Sequence, residues 1–202
     1  ADILTDLGEP MHITLAPNPS HLEFGHSVVL GKARSRQRTQ CDEDRCLCIP
    51  LLIHGDASFP GQGIVAELFN MAHLDGYTVG GTVHIVINNQ IGFTTNPHDS
   101  YSGRYCTDIA KMAGAPIIHV NGDDPEACVH AIQMAVRYRQ TFHNDVVVDL
   151  WTYRKLGHNE ADEPRYTQPK MYQVISQMKP ITELYAEKLI KDGVLTKEVF
   201  EH

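Results

Sequence analysis

The chain has 202 residues, 42% hydrophobic and 21% charged, with 17 basic against 25 acidic residues for a net charge of −8. That is an ordinary globular composition with enough apolar side chain for a core, which excludes collagen, coiled coil and wholesale disorder. It offers no basic face for nucleic acid or an anionic membrane surface, and no apolar run reaches the ~18 residues of a membrane span.

The first residues, Ala1 to Asp6, lack the basic start and long apolar stretch of a signal peptide. Met11 to Ala16 reads as a strand, and Ser20 with Glu23 three residues later fits a capping box. Cys41, Cys46 and Cys48 crowd an acidic segment without the paired spacing of a zinc knuckle, and read as a surface loop of reduced thiols. Ile49 to Ile53 is a short apolar strand, and Gln62 to His73 has helical spacing at Ile64, Val65, Leu68, Met71 and Ala72. Val83 to Ile87 is a strand, Thr107 to Ala113 a short helix and Pro116 to Val120 a strand. Asp124-Pro125 is a helix start, and the helix runs to Phe142. Val146 to Trp151 is the next strand, and Gln168 to His202 reads as helices broken at Lys179-Pro180 and Asp192-Gly193. Alternating strands and helices predict an α/β fold, a parallel sheet with helices on both faces and a helical C-terminal extension. Residues 11–164 are expected to form the α/β domain and 165–202 a helical linker.

In such sheets ligands bind at the carboxyl ends of the strands. Those ends are polar here: Asn18 to His21, His54 to Ser58, Asn88 to Gly92, His119 to Asn121 and Arg154 to Glu160. Gly55-Asp56 followed by Gly61-Gln62-Gly63 and a helix suits an anion at the helix start. Asp56 itself would repel a phosphate, but magnesium bridges carboxylates to phosphates, with Asn89 and the Ile91 carbonyl placed as further oxygen ligands. Taken singly, Asp56 serves equally as a helix N-cap and Asn88-Asn89 as a turn. His158, behind Gly157, can exchange a proton near neutral pH or sit in an acidic turn held by Glu160 or Asp162.

At these residues the sequence resembles a family, the thiamine diphosphate-dependent decarboxylating component of 2-oxoglutarate dehydrogenase complexes. Five blocks carry the likeness: Asn18 to Glu23, His54 to Gly63, Asn88 to Thr95, His119 to Glu126 and Gly157 to Pro164. The resemblance implies that Asp56, Asn89 and the Ile91 carbonyl hold Mg2+ and through it the diphosphate of thiamine diphosphate. It implies that Leu22, Ala57 and Ser58 lie against that cofactor and that Ser20 and His21 face the 2-oxo acid. His158 and His21 would act in the reaction. The implied activity is oxidative decarboxylation of 2-oxoglutarate with transfer of the succinyl unit to a lipoyl-bearing succinyltransferase component. A relative acting on 2-oxoadipate shares most of these blocks, and a catalytically inert fragment is the remaining alternative.

The resemblance further implies a homodimer, located in the mitochondrial matrix in a eukaryote or the cytoplasm in a bacterium. Family chains are several times longer, so this one would be a fragment lacking the pyrimidine-binding domain, inactive alone, with apolar patches exposed before Met11 and after Pro164. Phe24-Gly25-His26 departs from the family's small and acidic residues after Glu23, and Arg34 to Cys48 is idiosyncratic.

Overall fold

The computed structural model describes residues 1–5 and 7–201. Among these, β1 (Asp2–Leu4) and β2 (Pro10–His12) pair antiparallel, followed by α1 (Phe24–Thr39), β3 (Leu51–Gly55), α2 (Ser58–Gly61), α3 (Gly63–Met71) and β4 (Val83–Asn88). Then come α4 (Pro97–Ser100), a 3-10 helix (Cys106–Ala113), β5 (Ile117–Asn121), α5 (Pro125–Phe142) and β6 (Val146–Trp151). A 3-10 turn (Pro164–Tyr166) leads to α6 (Pro169–Ile175), α7 (Ile181–Lys191) and α8 (Lys197–Glu201). The expected helical run to His202 meets its end outside the described residues.

The expected α/β architecture is present. Strands β3 to β6 form a parallel sheet in the order β3-β4-β6-β5. Side chains alternate between its faces. On one face Val86 and Val147 pack against Phe59, Val65 and Phe69 of α2 and α3 and against Cys106 and Ala110. On the other, Val83, Val146 and Val148 pack against Ala131 and Ala135 of α5. Asp124 caps α5 as its sequence predicts, accepting from the Ala127 N–H at 3.1 Å.

Four expectations are corrected. Met11 to Ala16 is not a strand of the main sheet: its strand is Pro10–His12, in a ribbon with the unforeseen strand Asp2–Leu4, and pairing ends where Ile13 bonds to Ala1. Ser20 and Glu23 do not form a capping box. Glu23 itself precedes the helix, in the left-handed region at φ 71°, with its carboxylate turned toward the sheet rather than back to its own N-terminus. The Arg34–Cys48 stretch begins as helix, because α1 runs to Thr39. Its basic sequence lacks an apolar stripe; one turn buries Ala33 and Gln37, and Gln37 donates to the Cys48 and Val79 carbonyls, both at 2.9 Å. Beyond it the cysteine loop is tied down, with Asp42 accepting from the Cys46 and Leu47 N–H groups at 2.9 Å each. Finally, Asp56 is not a helix N-cap: Ala57 occupies that position before α2.

Apolar side chains are exposed where expected, including Leu4, Leu7, Tyr166, Val174 and Val194. Others fall outside those segments. Leu51 and Ile53 are exposed on the β3 face that α5 leaves bare.

The fold also buries a guanidinium. Arg139 is fully enclosed and donates to the Gly81 carbonyl at 2.9 Å and the Val79 carbonyl at 2.8 Å, and also to the Gln140 side chain. These carbonyls sit where the chain enters β4, so the bonds fix that strand's start. Replacing Arg139 by Met keeps bulk but strips the donors from two interior carbonyls. We expect a loss of about 3 kcal/mol in urea unfolding, read as a lower midpoint at constant slope.

Candidate functional site

The carboxyl edge of the sheet gathers polar groups on the face covered by α2 and α3. His54, His84, Asn88 and Asp149 all point to that face and are buried. Their positions follow from period-two alternation: His84, Val86 and Asn88 share one side of β4, and Asp149 stands opposite Val86 in the β4–β6 register.

Beyond β3, Asp56 is buried, and burial pushes its carboxyl up to about 6 against the pull of backbone N–H groups at Asp56, Asn89 and Ala57. Beyond β4 the chain turns sharply through Gln90 at φ 62° and Phe93 at φ 53°. The turn brings Ile91 inward and aims its carbonyl at Asn89. The inward end of the Asn89 amide lies 3.3 Å from Asp56 Oδ1 and 3.0 Å from the Ile91 carbonyl oxygen. Without a cation, the amide nitrogen belongs at that end and donates to both. With the amide oxygen inward, Asn89 would place an oxygen 3.3 Å from Asp56 Oδ1 and 3.0 Å from the Ile91 carbonyl oxygen, a little wider than the ~2.9 Å between adjacent ligands of an octahedral magnesium ion with ~2.05 Å bonds. The residues expected to ligate magnesium are therefore neighbours, and their donor set fits a hard cation. Gly92 permits this packing, since a Cβ there would lie 2.6 Å from Ala57 Cβ.

Ala57 and Ser58 follow Asp56 directly, half-buried at the start of α2. Ser20, His21 and Leu22 lie on an exposed turn. Leu22 is 60% exposed, and the His21 ring meets Phe24 at 5.7 Å between centroids. None of the three touches Asp56. They are tethered to it by Glu23, which the site assignment from sequence omits. Its buried carboxylate accepts from His54 Nδ1 at 2.7 Å and from the Ser58 hydroxyl. Burial alone would raise the Glu23 carboxyl, but the His26 ring 2.6 Å away and the bonds from His54 and Ser58 hold it well below the usual range. Burial conversely pushes His54 down to about 4, against the pull of Glu23.

His158 sits on the loop after β6, exposed, with its ring edge against Phe93 at 4.9 Å between centroids. Asp162 accepts its backbone N–H at 2.8 Å but not its imidazole. The reading in which Glu160 or Asp162 grips the ring thus has no support in the geometry. Arg154 joins this loop to the previous strand end, donating to the Phe93 carbonyl at 2.9 Å while lying 3.7 Å from Asp162. Next along the edge, fully buried Asp149 accepts from Asn88 Nδ2 at 3.1 Å, His119 Nδ1 at 2.7 Å and Trp151 Nε1 at 2.8 Å. His119, Trp151, Tyr105 and Arg104 line an open cavity of about 500 Å³. Asp149 lacked any local motif, a carboxylate inside an apolar strand being its available signal, while Glu23 lay in a block whose local reading was a capping box.

Gly157 is the hinge of the His158 loop. A Cβ there would lie 2.1 Å from the Asp162 carbonyl oxygen, so any side chain must push the two arms apart. We expect Gly157→Ala to break the His158 N–H bond to Asp162, raising amide exchange at His158 about tenfold while exchange in β4 and β6 holds.

The dehydrogenase E1 component family matches residues 5–202. The chain is 54% identical over 189 residues to a 2-oxoglutarate dehydrogenase E1 component of Haemophilus influenzae, covering 93% of this chain and 20% of that protein. A protein of the same description from Brucella ovis is 52% identical over 200 residues, covering 95% of this chain and 20% of the relative. The chain therefore spans about a fifth of the length of these curated relatives. With nearly every residue inside the family's match and polar strand ends converging on one edge of a parallel sheet, this chain belongs to the dehydrogenase E1 component family.

Proposed function

We propose that the chain supplies the magnesium–diphosphate side of a thiamine diphosphate-dependent 2-oxoglutarate dehydrogenase, as part of a longer polypeptide. The observation that carries this reading is the convergence of Asp56, Asn89 and the Ile91 carbonyl at 3.0–3.3 Å behind the carboxyl edge of the sheet. The relatives, 2-oxoglutarate dehydrogenase E1 components, support the substrate class, and the family membership supports the cofactor. Residues 11–164 would form the diphosphate-binding unit and 165–202 the helical lead to the rest of the enzyme, which we take to be a homodimer.

In this reading Asp56 and Asn89 place two side-chain oxygens, and Ile91 a third from the backbone, on a magnesium ion that holds the diphosphate. Ala57, Ser58 and Leu22 would form the adjoining wall. Thiamine diphosphate, when bound, supplies a carbanion that attacks the 2-oxo group and accepts the electrons released with carbon dioxide. Ser20 and His21 would hold the carboxylates of 2-oxoglutarate. His158, its imidazole without a hydrogen bond and its loop braced by Arg154, would hold or move a proton at Nδ1 or Nε2 beside the reacting carbon. The succinyl unit would pass to a lipoyl group of a succinyltransferase partner.

Two measurements on the full-length enzyme test this. Asp56→Ala should weaken magnesium-dependent thiamine diphosphate binding by about 100-fold or more while near-UV circular dichroism stays native, since losing a ligand costs more than the 10–100-fold of losing a group that merely holds a ligand. Unchanged cofactor affinity would remove the magnesium assignment. His158→Ala should lower turnover by about 10²–10⁴-fold, the range for a general acid or base. Its stability should stay within about ±0.5 kcal/mol, because the exposed ring forms no polar bond that would be lost. Preserved turnover per folded molecule would take His158 out of the reaction.

A further inference from the structure

We propose that Glu23, His26 and His54 form a binding site for a divalent transition-metal ion of the zinc class, separate from the Asp56–Asn89–Ile91 cluster. Glu23 Oε2 lies 2.6 Å from His26 Nδ1 and 2.7 Å from His54 Nδ1, and one ligand atom from each residue falls within 4.8 Å of the others. Two imidazoles and one carboxylate are a zinc-type donor set, soft enough to exclude magnesium and too poor in oxygen for calcium. Glu23 immediately precedes α1 with a left-handed backbone, His26 lies in the first turn of α1, and the sheet brings His54.

The hydrogen-bond pattern supports a cation here in two independent ways. The His26 Nδ1 atom is buried and close to the carboxylate, yet lies off the line that a hydrogen bond needs, so it has no partner. The second sign is farther along. His54 Nε2 meets His84 Nδ1 at 3.0 Å, and His84 Nε2 is buried without a hydrogen bond, 3.7 Å from Asp145 Oδ2. With a proton on His54 Nδ1, that ring's Nε2 must accept from His84. A bare His84 Nε2 lone pair then faces a carboxylate. A metal ion on His54 Nδ1 reverses the chain. His54 Nε2–H then donates to His84 Nδ1, and His84 Nε2–H points at Asp145. The ion also takes the lone pair of His26 Nδ1. The His26 lone pair is then used, His84 turns an N–H rather than a lone pair toward the carboxylate 3.7 Å away, and the metal-bound His54 imidazole acquires the outer partner such ligands almost always have. The ligand atoms would separate by about 0.7 Å to span four-coordinate bonds of ~2.0–2.1 Å. The His26 side chain, 14% exposed, gives the ion its way in.

The test uses the full-length protein, stripped with a chelator and then held in excess Mg2+ and thiamine diphosphate so that the Asp56 cluster is filled. Titration with Co2+ should give one ion per chain with the visible absorption of four-coordinate cobalt. His26→Ala should weaken binding at least tenfold with native circular dichroism, and Cys46→Ser should change nothing. His26→Cys should keep the ion and add a sulfur-to-cobalt charge-transfer band in the near ultraviolet, which serves as the deciding variant where His26→Ala does not fold. Absence of visible absorption overturns the proposal. So does a weak six-coordinate spectrum indifferent to His26→Ala, a thiolate band abolished by Cys46→Ser, or a His26→Cys protein without the new band.

Discussion

The carboxylate of Glu23 is the contact on which the arrangement of this edge depends. It is an acid enclosed by protein, on a residue with a left-handed backbone that most side chains avoid. An uncompensated buried carboxylate costs several kcal/mol, so it persists because His54 and Ser58 donate to it. Those donors flank Asp56 in sequence, one before it and one after. The chain entering α1 is thereby fixed to the strand end that carries the candidate magnesium ligand, across a gap of more than thirty residues in sequence. Losing this bond would free Ser20, His21 and Leu22 from the sheet without touching any of them.

Asp149 plays a comparable part at the other end of the edge. Its two oxygens accept from three side chains on β4, β5 and β6, locking the carboxyl ends of neighbouring strands in register. A sheet face made wholly of valine and isoleucine would pack as well but could slide. Directional bonds at its rim remove that freedom, and they orient His119 and Trp151 around the open cavity beside them. The edge is thus rigid where strands end and loose where the Ser20–Leu22 turn and the His158 loop project from it.

Much of this was legible in the sequence because parallel strands write themselves plainly. Val83–Asn88 and Val146–Trp151 are apolar runs ended by polar residues, and Asp124-Pro125 announces α5. The grouping of Asp56, Asn89 and Ile91 was expected from the polar ends of successive strands together with the family resemblance. Helix α1 was not legible, because its burial rests on Ala33 and Gln37 while its larger apolar residues Phe24 and Val28 are exposed. The short ribbon of β1 and β2 was misread since three exposed residues per strand carry no burial pattern. The Glu23 and Asp149 networks escaped for a different reason. Each joins residues 30 or more apart, and nothing local in a chain records which distant histidine a carboxylate will meet.

The strand order carries a further consequence, for the path by which the chain becomes this structure. Strand β6 is the last of the four to be synthesised, yet it lies inside the sheet, between β4 and β5. Until it emerges, β4 and β5 have no common neighbour and the sheet has a missing slat. Closing the gap joins residues such as Thr82 and Asp145, 63 apart in sequence, and the entropy of that long loop must be met before its contacts form. The inserting strand also brings Asp149, which has to find three donors as water leaves. Nascent chains paused before residue 151 should therefore hold an open half-sheet with two unsatisfied strand edges, a natural substrate for chaperones that shield such edges.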